Sequence, residues 1–96
     1  MIYLTAIIKS KTVHRDEVRE TLLTMVTESR KEPACIQYDL YQDDSDPNVF
    51  VFQEIWESRE GLDAHHEQPY IRAFGASLEK LQTDPEIYLT HPIDRA

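Results

Sequence analysis

Between Glu54 and Tyr70 the chain gathers a carboxylate, an indole, an imidazole and a phenol, in the residues Glu54, Trp56, His65 and Tyr70. An imidazole titrates near neutrality, so His65 is the candidate general acid/base. Glu54 shares a strand face with Trp56; if that face is buried, the carboxylate needs a partner or a raised pKa. It is then either a member of a structural ion pair or a second base. The hydroxyl of Tyr38 or Tyr70 suits the positioning of a substrate oxygen. Phe52, Trp56, Tyr70 and Phe74 offer apolar walls that shield a reactive anion from water.

Each of these residues has a structural role that competes with the chemical one. A single His at a helix end commonly caps the helix or faces solvent, and Trp56 equally suits the core or an interface. His66 points about 100° away from His65 around a helix. Metal-binding pairs on helices favour i, i+4 spacing, so no metal site is expected. His14 and His91 read as helix-start or solvent residues, and the acidic run 43–46 as a solvated turn. Cys35 lies in no metal-ligand or CxxC spacing and reads as a packing residue.

Residues 2–9 are β-branched and aromatic and read as a strand. From about 14 to 31 the period becomes helical, with Val18, Leu22, Met25 and Val26 on one stripe, and Pro33 closes it. Residues 35–42 alternate, with Ile36, Tyr38 and Leu40 on one side. A dense turn signal, Asp43-Asp44-Ser45-Asp46-Pro47-Asn48, leads into a strand at 49–56. Ser58 is a natural N-cap for a helix near 59–66. Pro69 starts a second helix that the spacing of Tyr70, Phe74, Ser77, Leu78 and Leu81 extends to 82. Asp84-Pro85 stops it, and residues 86–90 form a last strand. The order β-α-β-β-α-β is the α+β, ferredoxin-like arrangement of an antiparallel sheet.

The third strand is apolar on both faces: Val49, Val51 and Ile55 point one way, Phe50, Phe52 and Trp56 the other. Helices on one side of a sheet cover only one face, so a second copy packing sheet against sheet is expected, giving a homodimer.

The chain's 96 residues make one domain, 1–96, and bury about 65% of the unfolded area. A net charge of -8, with ten Lys and Arg scattered among eighteen acids, excludes the basic face that nucleic acid or an anionic membrane requires. No run approaches a membrane span. The first nine residues lack the basic region of a signal peptide, so a cytoplasmic location is expected.

The segment from Glu54 to Tyr70, with an acid, a Trp two positions on, Leu62-Asp63-Ala64-His65 and then Pro69-Tyr70, resembles the antibiotic biosynthesis monooxygenase family. The likeness continues through Ile71-Arg72-Ala73-Phe74, and upstream Glu32-Pro33 followed by Tyr38-Asp39 matches the family's approach to its second strand. The resemblance implies a dimeric α+β barrel with a pocket between each sheet and its helices. Family members include cofactor-independent monooxygenases of quinols and polyketide aromatics, haem-degrading enzymes and an isomerase of phosphorylated autoinducer-2. The haem-degrading pattern of an Asn, a Trp and a His is not matched: the first strand has no Asn, His65 stands at the Trp position, and the later His position falls near Gly75. The polyketide branch also uses an Asn, and Asn48 lies in a turn. The His of Leu-x-x-His is retained as His65, which points to the quinol-oxygenase and isomerase branches.

The resemblance and the residues together lead to three expectations. The first is a cofactor-independent monooxygenase acting with O2 on a quinol or hydroxylated aromatic. Its catalytic residues would be His65, Glu54 and Tyr70, and its walls Tyr38, Phe52, Trp56 and Phe74. The second is an isomerase of a small phosphorylated signal, with Arg72 or Lys80 over the phosphate. The third is a non-catalytic ligand-binding dimer.

Overall fold

The computed structural model describes residues 1–94, so the last two positions of the expected domain lie outside the described residues. The elements run β1 (Ile2–Lys9), a 3-10 turn (Thr12–His14), α1 (Arg15–Ser29), β2 (Cys35–Gln42), β3 (Val49–Trp56), α2 (Arg59–His66), α3 (Pro69–Gly75), a second 3-10 turn (Leu78–Lys80) and β4 (Glu86–Thr90). The four strands form one antiparallel sheet in the order β2-β3-β1-β4, the ferredoxin-like topology that the element order predicts.

Side-chain alternation decides which face the helices cover. Leu4, Ala6 and Ile8 of β1 and Phe50, Phe52, Glu54 and Trp56 of β3 point to the helix side and are buried. The α1 stripe of Val18, Leu22, Met25 and Val26 closes over them, and Leu22 is completely covered. On the other face Tyr3, Ile7, Val51 and Ile55 are half-buried, and Tyr41 and Tyr88 are exposed. Within one chain this sheet is open.

Three local expectations need correction. The first helix is shorter than 14–31: the 3-10 turn Thr12–His14 precedes it, and the backbone NH of Glu32 turns back onto the Ser29 carbonyl at 3.0 Å. The helix at 69–82 ends at Gly75. The chain must return to an extended state by Leu81, which bridges Ser10, while Gln82 NH donates to the Lys9 carbonyl at 2.8 Å. Sheet pairing therefore overrides the helical spacing. Ser77 Oγ donates to the Phe74 carbonyl at 2.9 Å and closes the last turn.

The third correction concerns β2. Cys35 faces Trp56 and Gln37 faces Ile55, so Ile36 is the extra residue of a β-bulge. It is 50% exposed and does not join Tyr38 and Leu40 on the helix side. The bulge lets both Cys35 and Tyr38 face inward, as strict alternation would not.

Candidate functional site

Shortening of α3 leaves the helix-side face of β4 uncovered. Ile87 and Leu89 pair with Ala6 and Leu4, yet both are exposed by more than half. Beside this gap a cleft of about 100 Å3 opens between sheet and helices. Leu4, Ala6, Ile8, Tyr38, Phe52 and Glu54 form its sheet wall. Met25, His65, His66, Ile71 and Phe74 line the helix side, and Pro85 and Ile87 the mouth. Among the described residues no Lys or Arg lines it. A wider concavity of about 710 Å3 lies on the opposite face of the sheet among Gln37, Tyr41, Asp43, Val51 and Gln53. It is shallow and holds none of the predicted catalytic groups, whereas the smaller cleft holds His65 and Glu54.

His65 sits in the last turn of α2, whose start is set by Ser58: its Oγ accepts from Gly61 NH at 3.1 Å. The imidazole is 3% exposed and packs against Trp56 with ring centroids 4.3 Å apart, and against Tyr38 at 5.5 Å. Its Nδ1 lies 2.8 Å from Glu32 Oε2. A carboxylate oxygen accepts, so Nδ1–H donates and Nε2 is left with its lone pair. Burial pulls the imidazole below its usual pKa of 6.5; the Glu32 hydrogen bond opposes this without reversing it. His65 is therefore neutral at pH 7, in the state a base requires.

Glu54 comes from the centre of β3 and is 6% exposed. Its Oε1 accepts from Trp56 Nε1 at 2.9 Å, a bond that also orients the indole behind His65. Burial raises the carboxyl to about 7, more than the Trp56 hydrogen bond lowers it, and Glu32 adds a smaller upward push. The cleft thus holds an imidazole lowered from its usual value by burial and a carboxyl raised to about 7. Such a pair can take a proton at one point and return it at another.

Of the predicted residues, Tyr38, Phe52, Glu54, His65 and Phe74 meet in the cleft. Trp56 and Tyr70 do not line it. Trp56 is fully buried behind His65, and the Tyr70 hydroxyl donates to Glu32 Oε2. Burial raises the phenols of both Tyr38 and Tyr70 well above the ordinary range, so each serves as a neutral hydroxyl. Cys35 is half-buried against the core, and its thiol is raised by burial, away from the reactive thiolate.

The residue that sequence reasoning missed is Glu32. It lies 33 positions before His65 in a turn, and no spacing links the two. The only local signal is the Glu-Pro step itself. The two meet because the turn after α1 packs on α2: Glu57 NH donates to the Ala34 carbonyl at 2.9 Å. Gly61 is required here, since a Cβ at that position would stand 2.3 Å from Ala34 Cβ.

Comparison with known proteins bears on the family and the fold. A family model described as antibiotic biosynthesis monooxygenase matches residues 1–77. The Bacillus subtilis protein named "Putative monooxygenase YcnE" is 33% identical over 85 residues, spanning 88% of this chain and 90% of its own length. A Synechocystis protein, named only as uncharacterized protein sll1783, is 37% identical over 81% of this chain. The match spans 53% of that relative's length. A crystal structure of an antibiotic biosynthesis monooxygenase superposes with a TM-score of 0.91 at 29% identity, covering 98% of this chain and 100% of that one.

Proposed function

The chain belongs to the antibiotic biosynthesis monooxygenase family, and on that premise we propose that it is a cofactor-independent monooxygenase of a quinol or hydroxylated aromatic. The observation that carries this reading is a neutral His65, held at Nδ1 by Glu32, in the wall of an apolar cleft. At about 100 Å3 the cleft is smaller than the ~150 Å3 cavity that holds a whole benzene ring, so a single ring would lie partly inside it and partly in the mouth at Pro85 and Ile87.

His65 Nε2 takes the phenolic proton, and the apolar walls leave the anion poorly solvated and electron-rich. The anion passes one electron to O2. The resulting radical pair recombines at a ring carbon bearing hydrogen, forming a C–O bond. The peroxide anion takes back the proton held by His65, and the freed imidazole then removes the ring hydrogen as a proton while the O–O bond breaks, leaving a carbonyl and hydroxide. The hydroxide takes a proton from Glu54 and leaves as water, and the proton now on His65 passes to Glu54, restoring both groups. One O2 thus becomes one carbonyl oxygen and one water; the ring is oxidised to a quinone, with no outside reductant.

The isomerase reading fits less well. Arg72 pairs with Glu67 and Lys80 with Glu17, so neither cation is directed at the cleft, where a phosphate would instead meet Glu54. We also propose that the working form is a cytoplasmic homodimer joined through the open sheet face. Light scattering at micromolar concentration would then give twice the chain mass, and a monomer would sink the idea.

The direct test is oxygen uptake by chelator-treated protein over a panel of quinols and hydroxyaromatics, with His65→Ala beside it. The expected result is metal-independent uptake that falls about a hundredfold in the variant. Ligand binding with uptake no faster than autoxidation would instead indicate a dimer that binds without turnover.

A further inference from the structure

We propose that Glu32 is the positioning residue of this site, one carboxylate oxygen that both orients His65 and ties α3 across the cleft. The claim rests on the reading of His65 as the base. Three observations carry it.

The first is the shared atom. Glu32 Oε2 accepts from His65 Nδ1 at 2.8 Å and from the Tyr70 hydroxyl. Tyr70 lies in the first turn of α3, the helix whose Ile71 and Phe74 line the cleft. The base and the cover of the cleft are therefore fastened to the same oxygen.

The second is what Glu32 lacks. Its side chain is about 10% exposed, yet among the described residues no Lys or Arg pairs with it. Arg30 and Lys31, its close neighbours in sequence, turn outward to Asp39 and Glu28. A carboxylate kept for stability would be matched to a cation; this one is matched to an imidazole and a phenol.

The third is the rigidity of its seat. Glu32 NH donates to the Ser29 carbonyl and its own carbonyl accepts from Cys35 NH at 3.1 Å. Ala34 is locked against Gly61 and Glu57. Beneath the seat Ser29 Oγ is buried without a hydrogen-bond partner.

Because two donors share one oxygen, they compete for it. Removing the carboxylate should weaken the hold on the imidazolium, and removing the Tyr70 hydroxyl should strengthen it. The groups that face His65 are Glu32 from the turn, Tyr38 from β2, Glu54 and Trp56 from β3, His66 from its own helix and Tyr70 from α3. Glu28, at the end of α1, acts on Tyr70 from a distance. Of these only Glu32 and Tyr70 change in the test.

The experiment is 15N NMR titration of the imidazoles in the full chain, wild type beside Glu32→Gln and Tyr70→Phe. The wild type is expected to show His65 as the Nδ1–H tautomer. In Glu32→Gln its midpoint should fall by about one pH unit, a tenfold loss of proton affinity, and in Tyr70→Phe it should rise. A structural role would move neither midpoint in opposite senses. Midpoints that stay put, or that move together, in variants with native circular dichroism would overturn the proposal. Oxygen uptake is read separately. If the wild type turns over no substrate while the midpoints split as stated, the oxygenase reading fails and the role of Glu32 stands.

Discussion

Glu54→Gln should make the protein more stable at alkaline pH and leave it nearly unchanged in acid. The carboxyl has its ordinary value of 4.5 in the unfolded chain and about 7 in the fold. Because the folded value is the higher, folding favours the protonated form. The benefit is complete below 4.5 and is lost progressively as pH rises to about 7. At about 1.4 kcal/mol per unit, that window represents about 3 kcal/mol. Gln has nearly the same shape, can still accept from Trp56 Nε1 through its carbonyl, and never ionises. Urea denaturation of both proteins at intervals from about pH 4.5 to pH 8.5 measures the difference directly, and other carboxylates cancel in the comparison. Stabilities that agree at the acid end and diverge by about 3 kcal/mol in favour of the variant at the alkaline end are the expected result. A gap that stays constant with pH would show that Glu54 is hydrated in the fold, and the acid–base pairing drawn from its burial would fail with it.

Three further outcomes follow from the same geometry. The pH profile of oxygen uptake should be bell-shaped, rising as His65 loses its proton below pH 6.5 and falling as Glu54 ionises around 7; Glu54→Gln should remove the alkaline limb, as initial rates across the range would report. Gly61→Ala forces a Cβ to 2.3 Å from that of Ala34 and should cost about 1–3 kcal/mol in thermal or urea melts. Pairing it with Ala34→Gly should restore most of the loss; no rescue would locate the damage elsewhere. Ser58→Ala removes the cap of α2 and should cost about 1 kcal/mol by urea denaturation.

What the sequence disclosed and what it withheld have separate physical causes. Strand alternation and the stripe of Val18, Leu22, Met25 and Val26 are local signals, and they place the four strands and the first helix in their observed order. Glu54, His65 and Tyr38 were recognisable as candidates from their chemistry and the family pattern, but their turn inward into one cleft shows only in the fold. The end of α3 was not, since the pull on Leu81 comes from Ser10, far away in the chain. Nor was the role of Ile36, because a bulge is a property of two strands together. Glu32 was hidden for the same reason: its partners are supplied by the packing of a turn against two helices.

The bulge at Ile36 also bears on how the molecule behaves in crowded solution. The sheet order leaves β2 and β4 as its two free edges. An eight-residue edge with unbroken backbone donors and acceptors invites strands from other molecules to add on, the first step toward fibrils. The extra residue in β2 breaks that ladder at its start and increases the local twist, while β4 has only five residues to offer. The same inserted residue that turns Tyr38 toward the cleft therefore also guards the protein against sticking edge to edge.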